Sequence, residues 1–477
     1  MRPQTRKRID RYVDREVVQR IMKCTDVATL FCASIFISLV SAASIQATTP
    51  QVIGFLAIEL ALICVFSMRA LELYEIKAMT LGAWSALRAT ACCFVVAGIL
   101  YYLAHVFLLE MGFGWLFLWM IVLPAYFALT RSIVAHWAAP RASKGRFRQR
   151  IAIVGGGKSA EEALNLLESS SDLDIEIVGL FDDREDARSP QSIRAYHKIG
   201  KIEDLANYSR AHRVDLIIVA IPLSAETRLL SILPHLWELP VDIRISGNAS
   251  SLKLNSRAYT YLGNLPLLSV FDRPLKGWSL FQKEAVDRVL ALLAIIVLAP
   301  VMAAVALAVK FESKGPVIFK QKRYGFNNEL IEIYKFRSMH AESGDATASK
   351  LVSRNDPRVT SVGRFIRKSS LDELPQLFNV LKGQLSLVGP RPHAAQAKAA
   401  EALYEKVVDG YFARHRVRPG ITGWAQINGW RGETDTREKI EKRVKHDLEY
   451  IDQWSLLFDF YIIIRTPFAL LKSENAY

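Results

Sequence analysis

An adjacent carboxylate pair, Asp372 and Glu373, is the part of this sequence best suited to chemistry, because cations and turn-forming residues recur on both sides of it. Tyr334-Lys-Phe-Arg-Ser-Met339 precedes the pair and Arg367-Lys-Ser-Ser-Leu-Asp-Glu-Leu-Pro-Gln376 contains it. Ser386-Leu-Val-Gly-Pro-Arg-Pro392 and Arg418-Pro-Gly-Ile-Thr-Gly-Trp-Ala-Gln-Ile-Asn428 follow. Such a set suits phosphoryl transfer, since a carboxylate attacks phosphorus only where nearby cations neutralise the phosphate charge. Asp372 is the candidate nucleophile. Glu373 is the candidate ligand for Mg2+, a hard ion that takes one or two carboxylates plus substrate phosphate oxygens. Arg337, Arg367 and Arg391 are candidates to grip phosphates through two parallel N–H bonds, Lys335 acts as a point charge, and Arg418 belongs to the same phosphate-binding set. Ser370-Leu-Asp-Glu373 fits a capping box, which predicts that the pair lies in the first turn of a helix beside free backbone N–H groups. The plainer alternative is that the pair only caps a helix while the arginines form surface ion pairs.

The elements that must position these residues are sharply segregated by polarity. The chain has 477 residues, 51% of them hydrophobic and 23% charged, too apolar for an ordinary soluble protein and too charged for membrane spans alone. Four apolar segments, near 27–47, 50–68, 82–109 and 112–137, reach or approach the ~20 residues that cross a bilayer, which predicts a helical membrane bundle of four spans over residues 1–140. Arg2, Arg6, Lys7, Arg8, Arg11, Arg15, Arg20 and Lys23 precede the first span, too long a basic lead for a cleaved signal peptide. Arg69, Lys77, Arg141, Lys144, Arg146, Arg148 and Arg150 flank the other ends on the same side, while the two opposite loops carry no Lys or Arg. The positive-inside rule therefore puts the N-terminus and everything after residue 140 in the cytoplasm.

A fifth apolar run, 289–309, is also long enough to span, but crossing would carry the carboxylate pair outside the cell. Pro300 lies in its middle, and proline removes a helical hydrogen bond, so the reading favoured here is a re-entrant helix over 286–310 that breaks at Pro300 and returns to the same face. A kinked fifth span is the alternative. Between the membrane region and this run, Ile151-Ala-Ile-Val-Gly-Gly-Gly-Lys-Ser-Ala160 reads as strand, glycine turn and helix, with further strands at 175–181 and 215–221. Gly155, Gly157 and Asp182 fall where a Rossmann-like α/β domain over 150–246 would bind a nucleotide, and a ligand-free domain of the same shape remains open. Residues 247–275 are expected to be a linker, and 276–477 an α/β monotopic catalytic domain. The stretch from His446 to Ile464 mixes aromatic and aliphatic residues with acids, as an interfacial helix or a core helix would.

Several functions are disfavoured on composition. All five cysteines lie in or beside the N-terminal apolar region, so the polar part has neither a disulfide framework nor a cysteine zinc site. The nine histidines show no zinc-hydrolase spacing. No tyrosine has a lysine four residues on, which argues against a membrane-anchored nucleotide-sugar dehydratase or epimerase. The net charge of +14 would suit nucleic acid, but no binding module accompanies it. A non-catalytic scaffold for polysaccharide assembly would have no need of Asp372.

The motifs quoted above, together with Gly315-Pro-Val-Ile-Phe-Lys-Gln-Lys-Arg-Tyr-Gly325, closely resemble the bacterial sugar transferase family, the polyprenyl-phosphate hexose-1-phosphate transferases, over nearly all of 276–477. With four spans and a middle domain the chain resembles the large membrane form of that family, whose members move glucose or galactose phosphate. The resemblance implies a UDP-hexose donor, an undecaprenyl phosphate acceptor, Mg2+, and a covalent phosphosugar on Asp372 as UMP leaves. It also implies phosphate-binding roles for Arg367 and Arg391 and a membrane helix broken at Pro300, although Ala299 stands where small members have serine. The expected setting is the bacterial inner membrane, with its lipids as partners, no nucleic acid, and pairing with a second copy left open. Direct displacement by the lipid phosphate would use the same residues.

Overall fold

The computed structural model describes residues 14–42, 50–106, 113–170, 174–185, 190–222, 224–247, 259–340, 356–393, 398–399, 402–403, 411–430 and 436–472. The chain folds as two compact units, Met1–Arg148 and Gln149–Tyr477. The first holds helices α1 (Arg15–Ala42), α2 (Pro50–Ala70), the short α3 (Ile76–Thr80), α4 (Ala83–Val106) and α5 (Phe113–Ser143). The four long helices match the four apolar segments. Among the described residues two of them, over Ala83–Leu103 and Met120–Ser143, are long and apolar enough to cross a membrane. Helix α1 instead opens on Arg15, Glu16, Arg20, Lys23 and Asp26, so its apolar part starts late.

One polar cluster crosses the interior of this unit. Asp26 of α1 and Arg131 of α5 are fully buried, with Nη2 to Oδ2 at 2.6 Å. The hydroxyls of Tyr74 and Tyr126 each donate to the same carboxylate at 2.8 Å, and the guanidinium lies over the Tyr74 and Phe127 rings. Around it pack Leu30, Met68, Met79, Ala89, Cys93, Leu123 and other apolar side chains. A charge in such surroundings persists only because its partner is fixed.

The second unit begins with an eight-stranded sheet in the order β3-β4-β2-β1-β5-β6-β8-β7. Strands β1 (Gln149–Val154), β2 (Ile175–Phe181), β4 (Tyr196–Gly200), β5 (Leu216–Val219) and β6 (Asp242–Ser246) pair in parallel. Helices α6 (Lys158–Glu168), α7 (Ile202–Ala211) and α8 (Glu226–Trp237) connect them, as alternating strand and helix patterns require. The short β3 (Ser192–Ile193) pairs antiparallel with β4. The hairpin β7 (Tyr259–Leu262) and β8 (Leu265–Phe271) lies in the segment expected to be a linker; β8 joins β6 antiparallel, and Leu265 and Leu267 reach the core. The boundary at 246 is therefore corrected: the sheet continues to Phe271, because this hairpin has apolar side chains to bury and an open edge to pair with.

Helix α9 (Gly277–Glu312) follows and runs through Pro300 without interruption, so the expected break is not present as a gap in the helix. Its residues divide into two stripes. Ala291, Ala294, Ile295 and Leu298 pack on β10 (Leu330–Phe336) and α11 (Gln376–Leu381), and Met302, Val305, Ala306 and Val309 pack on Phe336 and Ile366. Val289, Leu293, Ile296, Val297, Leu307 and Phe311 stay exposed along the opposite side. Near its start, Lys283 joins Asp287 and Asp459, Ser386 donates to Asp287 at 2.6 Å, and Tyr450 donates to Asp459. The stretch expected as one last helix is two, Arg437–Asp452 and Leu456–Lys472, with Asp459 buried in that network and Leu457, Ile464 and Phe468 exposed.

Replacing Asp26 with alanine would leave Arg131 buried without its partner and cost about 3–5 kcal/mol. The double variant Asp26→Leu/Arg131→Met, which removes both charges, is expected to recover most of that loss. Thermal unfolding in detergent measures both.

Candidate functional site

Strand β9 (Ile318–Tyr324) pairs antiparallel with β10, and Lys335 is the next-to-last residue of β10. After α10 (Ser361–Lys368), Ser370 takes a left-handed conformation (φ 58°) and Leu371–Glu373 form a single 3-10 turn. The capping-box expectation is thereby corrected. Ser370 makes no side-chain cap, and α11 starts only after Pro375, whose missing N–H costs nothing at a helix start. Leu371 and Leu374 pack into the α9 and α10 cluster, which leaves Asp372 and Glu373 for the opposite side of the turn.

Glu373 carries the electrostatic load of the site. Its Oε1 accepts from Lys335 Nζ at 2.9 Å and from Arg391 Nη2 at 2.7 Å. These cations hold its carboxyl well below the usual carboxylate range despite burial, and Glu373 in turn raises the Arg391 pKa. Asp372 is 8% exposed, and among the described residues its carboxylate accepts no hydrogen bond; the nearest cation is Lys335 at 3.9 Å. Burial pushes its pKa up, with Glu373 adding to the rise and Lys335, Arg367 and Arg391 opposing it. Two neighbouring carboxylates with opposite shifts are thus set for different work.

Arg391 is aimed by residues that the sequence reading passed over. Arg414 Nη2 donates to the Arg391 carbonyl at 2.8 Å, and Arg323 Nη1 donates to the Pro392 carbonyl at 2.6 Å. Arg414 is fully buried and paired with Asp447 at 2.6 Å. His393 sits against Arg414 and Arg443, and burial beside those guanidiniums keeps it neutral, well below the usual histidine range. Burial, with Arg391 beside it, lowers the Arg323 pKa to about 10. Asn379 of α11 fixes β10 in register next to Lys335, accepting from Tyr334 N at 3.0 Å and donating to the Glu332 carbonyl at 2.7 Å. Only Arg323 had a signal in sequence, its place within Gly315–Gly325.

The other expected residues are distributed differently. The side chain of Arg367, at the end of α10, makes no hydrogen bond or ion pair among the described residues and acts electrostatically on Asp372. Arg337 donates instead to the carbonyls of Pro316, Val309 and Ser313 and to the Ser313 hydroxyl, closing the C-terminus of α9. Arg418 pairs with Glu284 at 2.5 Å. Pro300 lies within α9. In the sheet region, Gly155 has φ +108° and a Cβ there would meet Ile221 and Ala220 at 3.0–3.1 Å, so the turn needs glycine for both its backbone conformation and its packing. Gly157 precedes α6, and Asp182 is engaged by Arg184 at 2.9 Å. Among the described residues no group of three or more His, Cys, Asp or Glu is placed to hold a metal.

The candidate site is thus a buried carboxylate pair, held by Lys335 and Arg391, on a turn whose leucines pack against the long apolar helix α9. Residues 278–473 match the model of the bacterial sugar transferase family, and residues 69–247 match that of a CoA-binding domain. The chain is 37% identical over 360 residues to the UDP-glucose:undecaprenyl-phosphate glucose-1-phosphate transferase of Escherichia coli K12, covering 74% of this chain and 76% of that one. It is 39% identical over 333 residues to the undecaprenyl-phosphate glucose phosphotransferase of Komagataeibacter xylinus, covering 70% of this chain and 61% of that longer relative. It is 30% identical over 389 residues to the undecaprenyl-phosphate galactose phosphotransferase of Salmonella typhimurium, covering 76% of each. The chain belongs to the bacterial sugar transferase family.

The opposite shifts have opposite effects on stability. Glu373, with its pKa depressed, stabilises the fold above its unfolded pKa, and that contribution is lost as pH falls through the folded value. Asp372, with its pKa raised, favours the fold when protonated, and stability declines as pH rises through the folded value. At neutral pH Asp372→Asn is therefore expected to raise Tm, whereas Glu373→Gln leaves two cations without their anion and costs about 3 kcal/mol. Unfolding curves at pH 5 and 8 check both signs.

Proposed function

We propose that this chain transfers a hexose 1-phosphate from UDP-glucose or UDP-galactose to undecaprenyl phosphate, releasing UMP and initiating synthesis of a bacterial surface polysaccharide. The observation that carries the reading is the division of labour in the dyad, with Glu373 clamped by Lys335 and Arg391 while Asp372 has no hydrogen-bonding partner among the described residues. Relatives that match most of the chain are named for the same reaction with glucose, and one for galactose.

In this reading an Asp372 oxygen attacks the phosphorus that bears the sugar. The bond from that phosphorus to the bridging oxygen breaks, and UMP departs with the bond's electron pair. An oxygen of undecaprenyl phosphate then attacks the same phosphorus and expels the Asp372 carboxylate, giving the lipid diphosphosugar. Lys335, Arg391 and Arg367 would neutralise charge on the phosphoryl oxygens, and the contacts that fix Lys335 and Arg391 lower the cost of reorganisation. The hard oxygen donors of the dyad fit Mg2+, which Glu373 would hold together with substrate phosphate oxygens. When bound, that ion neutralises diphosphate charge and eases departure of UMP.

The same reading makes the chain a multi-pass protein of the bacterial inner membrane, with the second unit in the cytoplasm where nucleotide sugars are made. The packing of helix α9 supports a monotopic mode for the catalytic part. From Asp287 to Val309 the helix extends roughly 33 Å at ~1.5 Å per residue, enough to cross a bilayer, yet both halves pack on the same domain. Its exposed stripe would meet lipid while its buried stripe stays on the protein.

The test is UMP release from radiolabelled UDP-glucose and UDP-galactose by detergent-purified enzyme with Mg2+, with and without undecaprenyl phosphate. Wild type is expected to release UMP without lipid and retain label on protein, and Asp372→Asn to do neither. The acid limb of kcat/KM should lie above the ordinary carboxylate range, because Asp372 must ionise. Absence of UMP release with every nucleotide sugar, even with lipid present, would overturn the reading in favour of a scaffold.

A further inference from the structure

Helix α10 is short and strongly two-sided. Gly363 and Ile366 are buried, Ile366 against Val305 and Val309 of α9, whereas Arg364, Phe365 and Lys368 are exposed on the other side. The end of α9 beside it presents Lys310 and Phe311, and Lys314 follows just past the helix, all exposed. Phe365 is 65% exposed and Phe311 85%, so both leave a large apolar face uncovered beside these cations. The two helices are joined by Glu312, whose carboxylate accepts from the Val362 N–H at 2.9 Å in the first turn of α10. That carboxylate is therefore committed to the α10 backbone. Among the described residues the side chains of Lys310, Lys314, Arg364 and Lys368 make no hydrogen bond or ion pair.

We propose that the outer side of α10 and the last turn of α9 form a collar that binds anionic phospholipid headgroups and thereby sets the depth at which Asp372 meets its lipid substrate. The inference rests on the membrane-docked reading above and adds the lipid class and the surface that selects it. Four cations around two exposed phenylalanines, continuous with the apolar stripe of α9, match a bilayer interface in both polarity and charge. A second copy of the chain docking through the same face would bring like charges together. A soluble acidic partner would leave the continuity with the α9 stripe unexplained.

The geometry also connects the collar to the chemistry. Lys368 ends α10, the left-handed Ser370 turns the chain, and Asp372 follows on a turn whose Leu371 and Leu374 share the apolar cluster holding Ile366. The collar and the dyad therefore share one packed cluster, so anchoring one at the headgroups would hold the other near the acceptor phosphate.

The experiment uses full-length protein in nanodiscs of phosphatidylcholine alone or with phosphatidylglycerol. For wild type, phosphatidylglycerol is expected to lower the KM for undecaprenyl phosphate by roughly tenfold while leaving lipid-independent UMP release unchanged. Arg364→Gln/Lys368→Gln should lose most of that dependence and keep first-step UMP release. Equal dependence in variant and wild type, or none in wild type, would overturn the proposal. A second readout does not require turnover. Phe365→Trp fluorescence should be quenched more by brominated phosphatidylglycerol than by brominated phosphatidylcholine, and the preference should vanish when Arg364 and Lys368 are also replaced. Equal quenching by both lipids, or a change in oligomeric mass in the charge variant, rejects the collar. If wild type releases no UMP, the transferase reading falls and the quenching preference still decides the lipid contact.

Discussion

Two carboxylates side by side in a nearly dry site repel each other, and Glu373 is tolerable there because Lys335 and Arg391 both reach its Oε1. That three-residue contact constrains everything around it. Lys335 must arrive from β10, so Asn379 pins that strand to α11 through Glu332 and Tyr334. Arg391 must arrive from the Gly-Pro-Arg-Pro segment, whose carbonyls are held by Arg414 and Arg323. The turn bearing the acids must project them away from Leu371 and Leu374, and the left-handed Ser370 makes that reversal within a few residues. The Asp372 carboxylate is then left buried and accepts no hydrogen bond among the described residues.

Helix α9 is the platform beneath the site. Its two apolar stripes face different surroundings, one the α10, α11 and β10 layer and the other the outside of the domain. Charged residues secure both ends, Lys283 and Asp287 at the start and Arg337 on the final carbonyls. Arg337 is thereby a residue whose type suits phosphate but whose position serves the helix. The same economy holds in the sheet region, where Gly155 is needed for close packing against Ile221 and Asp182 is already engaged by Arg184. The Asp26–Arg131 pair gives the N-terminal unit a fixed polar crossing of its own.

Much was legible from the sequence for specific reasons. Apolar runs long enough to cross a bilayer have few alternatives, and helices duly occupy them. The strand, glycine turn and helix pattern at 151–160 and the strands expected at 175–181 and 215–221 gave parallel strands where periodicity placed them. The dyad and its nearest cations were also readable, because Lys335, Arg367 and Arg391 sit in short segments dense in unusual residues. The hairpin Tyr259–Phe271 was missed, since a brief strand at a sheet edge has the composition of a linker until its partner is known.

The sequence by itself determined the polarity pattern, the class of chemistry and the family, since these depend on which residues are present and how they are spaced. Tertiary structure decided which arginine does what. Arg391 reaches Glu373, Arg337 caps α9, Arg418 pairs with Glu284, and the sequence alone does not separate the three. A guanidinium's role follows from the acceptor it meets, and that acceptor comes from a distant part of the chain, brought close only when α9, β10 and the Gly-Pro-Arg-Pro segment pack together.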